Sequence, residues 1–303
     1  MNHISESLPR PSLSILDIGS NSVRFAYMAQ QPSGRFCVPD KQKLVCTTQL
    51  GKGLDATGLL SSESMDKTVS ACGRFYAMAQ EQQVPIYAYA TSAVRDAGNR
   101  QALIEDIKRA CPKMQLFILS GQEEGSLAYL GAFQGESGTL IDIGGGSMQV
   151  VTPTSAQSYP TGCVRARDWC PERPLPQMRD TLYAWLRSRV TLPQDTCAPY
   201  LGVGGTITTL GALLLQQTKY DGSRLSTLRL TPELLSTLLT KLYQRGDEER
   251  ARNPLLSRRH DIILQGGLIL LWLMEQLSIK WLTPTDHDGM EGFAAWLLQK
   301  GIL

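Results

Sequence analysis

The chain has 303 residues, 42% of them hydrophobic and 19% charged, with a formal net charge of +2. That balance suits a soluble globular protein of one large or two ordinary domains, and near-neutrality gives no support to a general nucleic-acid or membrane-surface role. The seven cysteines are scattered without a CxxC spacing and the histidines number three (His3, His260, His287), which argues against a disulfide framework, a zinc site or a His-based triad and fits a reducing cytoplasm.

The first twelve residues, MNHISESLPRPS, are polar and lack an apolar signal region. Leu13–Ile18 is predicted as a first strand, Gly19–Ser22 as a turn and Val23–Ala29 as the returning strand, with Asp17 near the end of the first. Short strands at 35–38 and 44–49 complete a meander. Met65, Val69, Cys72, Phe75, Tyr76 and Ala79 then fall at helical spacing behind a cap at Ser62. A strand at 85–90 runs directly into Thr91–Asp96, the kind of junction where α/β domains place sites. Arg95 there either offers a planar fork to a phosphate or pairs on the surface with Asp96. A helix from Asn99 and a strand at 115–119 follow. Ser120 and Glu123 form a capping box for a helix through Ala132. Glu124 lies about 100° further round that helix. It is free to face a cleft, or serves only as an N-terminal carboxylate favoured by the helix dipole.

Thr139–Val151, TLIDIGGGSMQVV, reads as strand, tight turn and strand. Glycine lets the backbone approach a ligand closely, and successive N–H groups make an anion-binding concavity. With Asp142 beside it, the turn implies a phosphate with a cation between; the alternative is a plain Gly-rich hairpin. A strand at 156–159 leads to Arg165 and Arg167, basic candidates near such a site. A helix at 177–190, a strand at 200–203 and a helix opening on Gly204–Gly205–Thr206 follow, the last with orphan N–H groups that favour anions. Residues 219–229 read as a flexible excursion, Thr231 and Pro232 open another helix, and 259–277 forms an apolar helix too short and polar to span a membrane. A last strand at 279–282, a turn at 286–289 and a helix at 290–299 close the chain. Each half thus opens on a strand, a Gly/Ser turn and a returning strand. Two such domains facing each other would bring both turns to one cleft.

Together LDIGSNSVRF, YATSAVRDAGNR, SGQEEGSLAYLGA, LIDIGGGSMQVV, TGCVR and VGGTITTL, with DIILQGGLILL more loosely, resemble the Ppx/GppA phosphatase family, the exopolyphosphatases and guanosine pentaphosphate phosphohydrolases. The resemblance implies an α/β fold of two ribonuclease-H-like domains of the actin/Hsp70/sugar-kinase superfamily around a central cleft, the first from 1–118 plus 285–303 and the second from 119–284. It implies Mg²⁺-dependent hydrolysis of terminal phosphoanhydride bonds in polyphosphate or guanosine pentaphosphate, with no nucleic-acid or membrane partner and room for a homodimer. Carried over residue by residue, Glu124 is the general base on water and Arg95 a catalytic contact to phosphate. Ser20, Asn21, Ser22, Arg24, Gly144, Gly145, Gly146, Ser147, Gly204, Gly205 and Thr206 bind phosphates. Asp142, Asp17 and the position of Gln149 hold the metal.

Two departures accompany the resemblance. The family usually carries glutamate where this chain has Gln149, so Mg²⁺ binding is expected to be weaker and Gln149→Glu to raise activity or lower the Mg²⁺ requirement. The chain also corresponds to a short form without the HD-like C-terminal domain of longer members, His260–Asp261 being a structural HD dipeptide. A non-catalytic polyphosphate or nucleotide sensor and an ATP-dependent sugar-type kinase are the rival readings, the kinase disfavoured by SGQEEG and SAVRD.

Overall fold

Leu13–Ile18 (β1) is buried at all six positions, as a strand covered on both faces must be. The computed structural model describes residues 12–39 and 42–303; the polar stretch Met1–Pro11 lies outside the described residues. β1 pairs antiparallel with Ser22–Gln30 (β2). In place of a meander, β2 takes two separate partners, Phe36–Cys37 (β3) at its far end and Leu44–Thr47 (β4) at its near end. Its nine residues are long enough to hold both. A short helix Leu54–Thr57 (α1) precedes Ser62–Glu81 (α2). The cap of α2 is Ser61, one residue earlier than expected, because its extended backbone lets Oγ accept from Ser64 N–H. Ile86–Ala90 (β5) joins β1 in parallel. Ser92–Asp96 (α3) and Arg100–Ala110 (α4) lead to Gln115–Ile118 (β6), parallel to β5.

Gly121–Phe133 (α5) carries the expected Ser120–Glu123 capping box. Thr139–Ile143 (β7) and Met148–Val151 (β8) form the predicted hairpin, and Ala156–Tyr159 (β9) extends it. Cys163–Trp169 (α6) and Leu175–Arg187 (α7) precede Tyr200–Val203 (β10), which runs parallel to β7 and enters Gly204–Leu214 (α8) directly. Residues 219–229 are not a bare excursion: Gly222–Thr227 forms a 3-10 turn capped by Asp221 and anchored by the buried Leu225. Pro232–Arg252 (α9) bends at Gly246, whose φ of 73° lies in the left-handed region. The apolar helix begins later than expected, as Ile263–Gln276 (α10). The last strand is Thr283–Pro284 (β11), parallel to β10, rather than 279–282. Ile279 instead turns back, its N–H on the Met274 carbonyl, and Leu282 makes a lone bridge to Leu230. Gly289–Gln299 (α11) closes the chain. No helix among the described residues is long and apolar enough to cross a membrane.

The two sheets repeat one plan. In each, a central strand pairs antiparallel with its hairpin partner and parallel with a strand that leads into a helix. Even the register matches, with Asp17 opposite Arg24 in one hairpin and Asp142 opposite Gln149 in the other. α2 and α4 cover one face of the first sheet, and α11 the other. Helices α7 to α10 cover the outer face of the second sheet.

Helix α5 lies between the sheets, packed on α11 and on β7–β9. Glycines set both contacts. A Cβ at Gly125 would come within 3.0 Å of Val151 and 3.2 Å of Gln149, and one at Gly121 would strike the Ser158 side chain. On the α11 side, a Cβ at Gly292 would run into the Leu127 carbonyl and one at Gly131 into that of Asp288. These obstructions are backbone, which cannot rotate away as a side chain can. Gly292→Ala is therefore expected to cost about 3 kcal/mol, the upper part of the usual overpacking range. Calorimetry should show a Tm roughly 6–12 °C lower; a Tm within a degree or two of the parent would mean that the helices separate freely.

Candidate active site

The two hairpin turns meet. Gly19 N–H closes on the Ser22 carbonyl and Gly144 N–H on the Ser147 carbonyl, each at 3.0 Å. A Cβ at Gly145 would stand 3.0 Å from the Ser20 Cβ, and one at Gly146 would press on the hydroxyls of Ser20 and Ser92. Helix α6 fixes the second turn by donating Cys163 N–H to Gly144 and Val164 N–H to Gly145. At the mouth of α8, Gly204 has a φ of 85°, which only glycine adopts at low cost, and the Arg259 guanidinium lies over Gly205 where a Cβ would be. Together these turns wall a cavity of about 500 Å³.

Charge in the cavity is divided. Asp17 accepts from Arg24 Nε at 2.8 Å, and Arg24 reaches on to Asp288 at 2.5 Å. Lys43 touches Asp288 at 3.2 Å and Glu291 at 3.0 Å. These groups neutralise one another. Arg258, Arg259 and Lys219 line the cavity with no carboxylate within ion-pair distance among the described residues. Opposite in sign are Glu124 and Asp142. Glu124, its side chain 15% exposed, accepts from Arg95 Nη1 at 3.4 Å and from Ser147 Oγ at 3.5 Å. Burial first, then the charge of Asp142, push its carboxyl up to about 8, with Arg95 opposing. Burial first, then the charge of Asp288, push Asp142 up to about 7. Two Gly/Ser turns, the Arg259 guanidinium and two carboxyls raised by burial thus share one cavity, a setting that suits an anionic ligand.

The Ppx/GppA phosphatase family model matches residues 38–297. The chain belongs to that family. It is 29% identical over 308 residues to exopolyphosphatase 2 of Mycobacterium tuberculosis, covering 92% of this chain and 96% of that one. Among solved structures, the PPX-GPPA enzyme of Aquifex aeolicus is similar with a TM-score of 0.74 and 26% identity, over 94% of this chain and 98% of that one. An exopolyphosphatase-like protein gives a TM-score of 0.86 at 22% identity, over 97% of this chain and 99% of that one. The fold of this Ppx/GppA protein is thus α/β, two ribonuclease-H-like domains around a cleft.

Most of the residues singled out in the sequence gather at the cavity of this family member. Ser20, Asn21, Ser22, Arg24 and Gly144–Ser147 line it, as do Gly204, Gly205, Asp17, Asp142 and Glu124. Five others do not. Thr206, 1% exposed, packs against Gly266, and Thr208 and Thr209 line the wall in its place. Arg95 sits behind Glu124, bonded as well to the Leu119 carbonyl and to Asp96: the pairing with Asp96 is present, and the rest of the guanidinium turns to Glu124 rather than into the cavity. Gln149 is fully buried and its amide is engaged by Ser147 and Ser158. Arg165 and Arg167 are held by Asp55 and Asp96 and by Asp168 and Asp261. The sequence reading missed Lys43, Arg259 and Asp288. Asp288 had a signal, since D-x-x-E before the apolar run Met290–Leu298 marks a capping box.

The donor set fits one hard cation held partly by substrate. Among the described residues, no cluster of three or more His, Cys, Asp or Glu side chains forms a cage, and Asp17 is occupied by Arg24 and the Tyr89 hydroxyl. Asp142 faces the cavity with no side-chain donor on it among the described residues. Mg²⁺ commonly binds through one or two carboxylates plus phosphate oxygens, which matches such a site.

Proposed function

We propose that this Ppx/GppA protein hydrolyses the terminal phosphoanhydride bond of inorganic polyphosphate, releasing orthophosphate. The observation that carries the reading is the Glu124 carboxylate, lining the same cavity as both Gly/Ser turns and tied to the second through Ser147. The turn N–H groups and Arg259 hold the terminal phosphoryl group and its neighbour. Glu124 takes a proton from water as the water attacks phosphorus in line, and the bridging oxygen leaves with the shortened chain. Asp142 would hold a Mg²⁺ ion, whose charge would help neutralise the phosphates when bound. Cys163 lines the cavity, but its thiol is tied to the Gly144 carbonyl and raised by burial, which favours direct attack by water over a covalent cysteine intermediate. Guanosine pentaphosphate carries the same terminal bond and is the second substrate to try. The seven free thiols suit a reducing compartment such as the cytoplasm.

The test is orthophosphate release from polyphosphate, and separately from guanosine pentaphosphate, by purified protein with Mg²⁺. Tight binding of either without release would overturn the hydrolase reading in favour of a sensor. Arg259→Ala is expected to raise KM for polyphosphate about tenfold or more, the loss of one charge-assisted contact, with kcat little changed. A fall in kcat at constant KM would place Arg259 at the transition state instead.

A further inference from the structure

Each Gly/Ser turn is braced from behind by a segment of its own half. The loop after β4 grips the first turn: Thr48 and Gln49 N–H donate to the Asn21 carbonyl at 3.1 and 2.9 Å, and Gly51 N–H to that of Ser20 at 2.7 Å. Helix α6 grips the second, with Cys163 N–H on the Gly144 carbonyl at 3.0 Å and Val164 N–H on that of Gly145 at 2.8 Å. The first loop runs on into α1, and there the two braces meet.

Arg165, the next residue of α6, bonds to the other half. Its side chain, 14% exposed, donates from Nη1 to Asp55 Oδ1 on α1 and from Nη2 to Asp96 Oδ2 at the end of α3, the latter at 2.6 Å. One planar fork thus spans two carboxylates from two elements. Asp168, three residues on and so on the same helix face, accepts Gly53 N–H at 3.0 Å, immediately before α1. Arg167 holds the other oxygen of Asp168 at 2.7 Å, which leaves Oδ2 for Gly53.

Among the described residues, no buried apolar cluster joins α6 to α1 or α3. The apolar bridge between the halves is α5, packed on α11 by one face and on the second sheet by another. On the α6 side the approach of the turns is therefore set by ion pairs and hydrogen bonds, which part at far lower cost than a packed core.

We propose that Arg165 is a positioning residue: by bonding Asp55 and Asp96 across the cleft it holds the second Gly/Ser turn against the first, so that both close on one polyphosphate chain. This rests on the reading of the turns as walls of the phosphate site. Arg165 touches no substrate; it acts through α6 and the loop before α1. Without it a share of the molecules has the turns apart, and polyphosphate, bonded to both, must supply the closure. Apparent affinity then falls with the closed fraction, while the saturated protein is closed.

Arg165→Met keeps the stem and removes the fork. KM for polyphosphate should rise about fivefold with kcat within about twofold of the parent. Tm should drop by no more than about 4 °C, because Asp55 and Asp96, 40% and 33% exposed, are left partly in water. Asp55→Asn should raise KM by less, since Asp96 remains, and combining it with Arg165→Met should bring KM no higher than Arg165→Met alone. Arg165→Lys, which lacks the fork, should fall between parent and Arg165→Met. An unchanged KM in Arg165→Met, a loss of kcat at constant KM, or additive effects in the double variant overturns the proposal. So does a rise in KM that merely tracks a fall in Tm across the variants. A readout without turnover is amide hydrogen exchange in peptides spanning residues 17–24 and 142–149. Both should exchange faster in Arg165→Met and regain the parent's protection when polyphosphate is added; exchange equal to the parent's in both peptides sinks the idea. A parent protein that binds polyphosphate without releasing phosphate removes the hydrolase reading alone, and the exchange rates and a Kd raised about fivefold in Arg165→Met then support the proposal. A parent that binds no polyphosphate overturns both.

Discussion

Glu124→Gln is expected to lower kcat for phosphate release by roughly 10²–10⁴-fold, the usual contribution of a general base, with KM for polyphosphate close to that of the parent. The substitution keeps the shape and an acceptor oxygen for Arg95 and Ser147, so the two Gly/Ser turns are undisturbed. What it removes is a group able to take a proton. Burial and the neighbouring Asp142 charge raise the Glu124 carboxyl to about 8, and a base is most effective near the pH at which it works. The sign follows from the role: the rate of the parent protein should climb as pH rises and Glu124 loses its proton, and the residual rate of Glu124→Gln should lack that climb. Initial rates of orthophosphate release across pH, at saturating and at low polyphosphate, separate kcat from KM. A variant within tenfold of the parent at every pH would move the base elsewhere.

The architecture was legible in the sequence because its main signals are local. LDIGSNSVRF and LIDIGGGSMQVV each state a buried strand, a turn and a return, and their near-identical registers explain why the two halves read as repeats. The capping box at Ser120–Glu123 correctly separated a structural carboxylate from Glu124, which faces the cavity. What escaped depends on distant chain segments. Nothing around Lys43 marks it as a partner of Glu291, 248 residues away. The direction in which Gln149 points depends on α5 pressing down at Gly125, so the family resemblance suggested a ligand where the packing makes a buried amide. The expectation that Gln149→Glu restores a metal ligand assumes a side chain in the cavity, whereas Gln149 is buried behind the turn and bonded to Ser147 and Ser158. Thr206 failed for a similar reason: α8 turns that face toward Gly266 and presents Thr208 and Thr209 to the cavity instead.

Lys43→Met is expected to lower stability by about 3–5 kcal/mol, the cost of stranding a buried charge, and Tm by roughly 10 °C or more. Lys43 is the cation that touches both Asp288 and Glu291, whose side chains are 8% and 4% exposed. Burial alone would raise both carboxyls. At Asp288 the charges of Arg24 and then Lys43, and at Glu291 that of Lys43, outweigh it and hold both below the ordinary carboxylate range. A carboxyl with a depressed native pKa contributes stability above its unfolded pKa, and that contribution is lost as pH falls through the native value. The gap between parent and variant should therefore be widest near neutral pH and narrow on acidification below about pH 4, where the unfolded carboxyls take up protons. Lys43→Met combined with Glu291→Gln should recover much of the loss, since the second change removes a charge that the first leaves unpaired. Thermal unfolding of the parent, the single and the double variant at neutral and acid pH measures all of this. An equal gap at both pH values would assign the loss to packing of the lysine stem. The network also bears on the site: Asp288 holds Arg24, and Arg24 holds Asp17 at the first Gly/Ser turn, so any Lys43→Met protein that folds should also bind polyphosphate less tightly.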